Sequence, residues 1–141
     1  MALKKKTNIA RNAVIANTME TSVSKLRDSL EQVEKAVTAR SNESKKLMLE
    51  TRRLKKRRVV QMGKKKRAVA ANKKNGSAES GKALKTIKSE LAATMKVLVN
   101  TTASRQAVLE ELSSLKESQK MLRAYIKSIN AAERAMGVSK R

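Results

Sequence analysis

LKTIKSELAATMKVLVNTTASRQAVLEELSSLKESQKMLRAYIKSINAAERAM, residues Leu84 to Met136, decides the fold. Positions spaced alternately three and four apart from Leu84 form a sixteen-site series, and eleven of the sites are apolar: Leu84, Ile87, Leu91, Leu98, Val108, Leu112, Leu115, Leu122, Ile126, Ile129 and Met136. Thr94, Thr101, Arg105, Gln119 and Glu133 hold the other five. An apolar repeat of seven sustained this long marks a helix that lays one seam against another helix in a left-handed coil.

A second seam lies upstream. Met19, Val23, Leu26, Leu30, Val33 and Val37 keep the same spacing, which then thins to Leu47 and Leu54, with polar Arg40, Ser44, Thr51 and Arg58 at the other sites of the series. Asn17 followed by Glu20 reads as an N-cap with a reciprocating carboxylate. The one cluster of turn residues, Asn72-Lys-Lys-Asn-Gly-Ser-Ala-Glu-Ser-Gly81, separates the seams. The spacing therefore predicts an all-α protein: a long antiparallel helical hairpin, or coiled coil, with a first helix over 17–71, a turn over 72–81 and a second helix over 82–136. Residues 1–16 read as a basic arm and 137–141 as a tail. With the bend near residue 76, partners should have numbers adding to about 153. The polar middles of the two seams then meet, and the hairpin is expected to be loosest there. Whether the seams close within one chain or between the two chains of a homodimer is left open, because an antiparallel dimer swaps the same contacts.

Composition narrows the chemistry. The 141 residues contain 34 Lys and Arg against 12 Asp and Glu, for a formal charge of +22, with no His, Cys or Pro and with Tyr125 as the one aromatic residue. Without His and Cys there are no disulfides, zinc fingers, iron–sulfur clusters or His-based catalytic arrangements. Carboxylates do not pair as catalysis requires, and Glu110 and Glu111 point different ways from one helix. No enzyme activity, cofactor or metal is expected. No stretch has the roughly 18 to 20 apolar residues of a membrane span, so a soluble, cytoplasmic protein with no membrane partner is expected. Lys4, Lys5, Lys6 and Arg11 read as part of the basic arm and not as a targeting segment.

The charge is concentrated. Residues 45–75 hold fourteen basic side chains and one acid, Glu50. Like charges at helical spacing repel, so a merely solvated helix would mix signs. A dense cation array gains instead by displacing the counterions condensed on a nucleic acid. Arg52, Arg53, Lys55, Lys56, Arg57, Arg58, Lys64, Lys65, Lys66 and Arg67 are the expected nucleic-acid-binding residues. Aromatic platforms for single strands are missing, which points to a duplex or structured partner, DNA ahead of RNA. Mutual repulsion predicts that 40–75 is partly frayed until an anion binds. Gly76-Ser-Ala-Glu-Ser-Gly81-Lys82 has the spacing of a phosphate-cradling loop, but Ala83 follows in place of a hydroxyl and no strand precedes, so it reads as a turn into a helix.

Leu109-Glu110-Glu111-Leu112, Leu115-Lys116, Gln119, Arg123, Tyr125-Ile126 and Gly137-Val138 together resemble the second helix of the AlgP family, bacterial histone-like proteins associated with alginate regulation. The basic stretch 45–67 is similar to the Lys/Arg-rich first helix of that family and of chlamydial histone-like proteins. The sequence has no Pro, and so none of the Lys-Pro-Ala-Ala tail that some members carry. The resemblance implies a helical hairpin, non-specific DNA binding of the nucleoid-associated kind, a role in transcription regulation, and no catalytic residues. The alternative is a structural or interaction coiled-coil protein: a secretion stalk, a phage packaging component or an RNA-particle subunit.

Overall fold

The computed structural model describes residues 13–137. They form two helices, α1 (Ala13–Asn75) and α2 (Ala78–Ala135), packed against each other as an all-α hairpin. Both helices run on because nothing in them stops a helix: Pro is absent, and Gly63 is the one glycine in the interior of α1.

The link is only Gly76-Ser77, far shorter than the turn expected over 72–81. Gly76 has a φ of +52°, the left-handed conformation that ends a helix cheaply only at glycine, and its N–H donates to the Asn72 carbonyl at 2.9 Å. Ser77 caps the next helix, its Oγ accepting the Ser80 N–H at 3.1 Å. Lys73 and Lys74 in the last turn of α1 and Glu79 in the first turn of α2 suit the two helix dipoles. With both caps satisfied locally, Asn72–Asn75 and Ala78–Gly81 stay helical. At the other end Gly137, with a φ of +68°, follows the last turn of α2. The start expected at Asn17 is also overturned, since Ala13 is already helical and Asn17 lies inside α1, its carbonyl accepting the Thr21 hydroxyl at 2.7 Å. Of the arm expected over 1–16, residues 13–16 belong to α1 and the rest lies outside the described residues, as does the tail beyond Gly137.

The chain divides into two compact units. In the terminal unit, residues 13–39 pack against residues 112–137. Val23, Leu26, Leu30, Val33 and Val37 of α1 and Leu115, Leu122, Ile126 and Ile129 of α2 are half-buried along the seam, and Leu112 is buried. Immediately beside seam positions, Arg27 donates to Asn130 at 3.4 Å and Arg123 pairs with Glu34 at 3.2 Å. Both Arg123 and Glu34 are well exposed, so the pair orients more than it stabilises.

In the turn unit, Arg40–Glu111, the Ser80 hydroxyl donates to Asn72 Oδ1 at 3.0 Å and Arg40 Nε donates to Glu111 Oε1 at 3.1 Å. These pairs set a register in which the numbers of facing residues add to about 152, one less than the value expected from the bend. The loose middle is not observed. Thr51, Leu54, Leu91, Thr94, Leu98 and Val108 are all buried, and all belong to this unit. Thr and Leu are small enough for close approach, and the Thr51 hydroxyl bonds its own helix at the Leu47 carbonyl, 2.7 Å away, so nothing polar on it is stranded. α1 is continuous over 40–75, and its seam runs on past Arg58 through Gln61, Lys65, Ala68 and Asn72, each half-buried.

All sixteen seam sites predicted on α2 are buried or half-buried, and from Leu84 to Met136 only Asn130 joins them.

Candidate nucleic-acid interface

Seven-residue periodicity sets where the charge of the turn unit goes. With Ser44, Leu47, Thr51, Leu54, Arg58, Gln61, Lys65, Ala68 and Asn72 turned to the seam, the outward face of α1 carries pairs that recur every seven residues. These are Lys45-Lys46, Arg52-Arg53, Val59-Val60, Lys66-Arg67 and Lys73-Lys74, all exposed. At 1.5 Å per residue, successive pairs stand about 10.5 Å apart. Four of the five are doubly cationic, so the helix displays a regular ladder of positive charge with one apolar rung.

Of the ten residues expected to bind, Arg52, Arg53, Lys55, Lys56, Arg57, Lys64, Lys66 and Arg67 are exposed. Arg58 and Lys65 are not on that surface; they occupy seam positions and are half-buried. The repeat of seven passes through both, and their aliphatic stems extend the apolar contact with α2. Within the seam, Arg58 Nε and Gln61 Oε1 are buried without a hydrogen-bond partner, as is Arg105 Nε on α2. Among the described residues, Arg53 is the one of the ten in an ion pair, with Glu50 at 3.3 Å. Lys45, Lys46, Lys73 and Lys74 lie outside the ten but on the same exposed face, because doublets seven residues apart on a helix share one face.

Charge also separates by unit. The turn unit holds twenty basic and six acidic side chains, whereas the described part of the terminal unit holds eight and six. Several acids of the turn unit are already engaged: Glu43 and Glu111 flank Arg40, and Glu50 holds Arg53. The hydrogen bond that Arg40 donates to Glu43, then the charges of Glu111 and Glu43, raise the Arg40 pKa above its ordinary value, so Arg40 is a permanent cation in a neutralised cluster and no part of the free ladder.

Gly76 and Gly81 form no phosphate cradle. Gly76 ends α1, Gly81 donates its N–H to Ser77 O at 3.1 Å inside the first turn of α2, and a helix precedes the pair. Among the described residues, no group of three or more His, Cys, Asp or Glu side chains could hold a metal ion. No described helix is long and apolar enough to cross a membrane. No family model, curated protein or solved structure matches the chain.

Proposed function

We propose that this protein binds duplex nucleic acid along the outward face of α1 in the turn unit, through phosphates and without strict sequence preference, in the manner of a nucleoid-associated, histone-like protein. The observation that carries this reading is the cation ladder. With Arg58 and Lys65 in the seam, residues 45–75 still expose twelve basic side chains against one acid over thirty-one residues, or about one net charge per 4 Å of helix at 1.5 Å per residue. One strand of a duplex carries a phosphate charge about every 3.4 Å along its axis, so the two densities are comparable. The likeness to AlgP-type and chlamydial histone-like proteins in the same stretch agrees with this function, and DNA is the first candidate partner.

The salt dependence of binding tests it. Neutralising about eight phosphates gives a slope near −7 in log affinity against log salt, and a slope shallower than about −2 removes the electrostatic mechanism. A coiled-coil docking protein would instead use the mixed-sign surface of the terminal unit, where Met121 and Tyr125 are exposed. Its binding would survive conversion of the ladder to Gln.

A further inference from the structure

One rung of the ladder carries no charge. Val59 and Val60 occupy the positions that hold two cations in the heptads before and after, and they are 65% and 56% exposed. Gly63 lies four residues beyond Val59 and three beyond Val60, so it shares their face, and a Cβ added there would meet nothing within 4 Å. The helix thus has a low apolar seat between tall cationic side chains. None of the three lies at a seam position of α1.

Resting on the phosphate-binding reading above, we propose that Val59, Val60 and Gly63 seat on the floor of the major groove of duplex DNA, against thymine methyl groups, while the neighbouring cation pairs hold the groove walls. Dimensions and charge select this occupant. Arg52-Arg53 and Lys66-Arg67 lie seven residues to either side, about 21 Å apart along the helix. A major groove about 12 Å wide and about 8.5 Å deep admits an α-helix lying along it, and because the groove curves away from a straight helix, cations about 10.5 Å to either side of the valines reach the bordering phosphates while the valines meet base edges. The minor groove, about 6 Å wide, is too narrow for a helix about 10 Å across. The major groove of an RNA duplex is deep and narrow and closed to the same face. Thymine presents a methyl in the major groove, the one apolar feature there for an aliphatic side chain to cover. Gly63 lets the backbone come close enough for the short valines to reach it.

The experiment uses the full chain at one fixed salt concentration, with three duplexes of one A/T-rich sequence: thymine DNA, the same DNA with deoxyuridine for thymidine, and RNA. The wild type should bind thymine DNA tighter than uracil DNA by about fourfold for each methyl covered, and should bind RNA more weakly than either. Val59→Ser with Val60→Ser should bind the two DNAs equally with an unchanged salt slope, since every cation remains. Gly63→Gln, which fills the notch without disturbing the seam, should also lose the thymine preference. Equal wild-type binding to both DNAs, RNA bound as tightly as DNA, or a thymine preference kept by the double variant each overturns the proposal and leaves the phosphate reading standing. Vesicles of phosphatidylglycerol and phosphatidylcholine serve as the competing partner: if the serine variant loses vesicle binding while its DNA binding is unaltered, the patch belongs to lipid and the proposal falls. A wild type that binds no duplex at all removes both readings.

Discussion

Arg40 of α1 donates through Nε to Glu111 of α2 at 3.1 Å, closing the turn unit across its two helices, while its other guanidinium arm engages Glu43 on its own helix. One arginine thereby consumes two of the unit's six acids and keeps them away from the ladder.

Because Arg40 is partly exposed, Glu111→Gln should lower the melting temperature only slightly, and the difference from wild type should vanish in 1 M salt. The arginine pKa is raised, so the stability it contributes is complete below its unfolded value and is lost only as pH climbs through the folded one. The effect of the substitution, followed by circular dichroism, should therefore be constant from neutral to mildly alkaline pH.

Leu54 and Leu98 lie in one seam layer of the turn unit and are 5% and 7% exposed. Leu54→Ala or Leu98→Ala should each destabilise by roughly 2 to 3 kcal/mol, toward the low end for buried leucines because a two-helix core can collapse around the loss. Urea titration measures this. A change below about 0.5 kcal/mol would show that the seam is not closed in solution.

Two glycines should respond in opposite directions to Ala. Gly63 has open space around its missing Cβ and helical backbone, so Gly63→Ala should stabilise by about 0.5 to 1 kcal/mol. Gly76, at a φ of +52°, should lose about 1 to 2 kcal/mol on the same change. Thermal melts of the two variants side by side report both signs.

The ladder and the seam separate by substitution. Arg52→Gln and Lys66→Gln should each reduce the magnitude of the salt slope by about one while leaving stability within about 0.5 kcal/mol. Arg58→Met should do the reverse. It removes a buried Nε that has no partner and should hold or raise stability, by up to about 2 kcal/mol, with the slope unchanged. A full unit of slope lost in Arg58→Met would put that side chain on the nucleic acid after all.

The helices, their seams and the charge block were legible in the sequence because each depends on local spacing. Leu84 to Met136 repeats every seven residues whatever it packs against, and the doublets from Lys45-Lys46 to Lys73-Lys74 share a face on any helix. Tertiary structure decided what depends on the second helix. It took Arg58 and Lys65 out of the expected binding surface, because the seam of α1 continues through the basic stretch to meet α2. It made Thr51 and Thr94 among the most buried residues of the chain, since burial follows the distance between helices and not the polarity of a side chain. It also reduced ten expected turn residues to Gly76 and Ser77, because one left-handed glycine and one serine cap suffice to reverse the chain. Residue type and period fix which face a side chain takes on its own helix, and only the partner helix settles which of those faces remains open to a ligand.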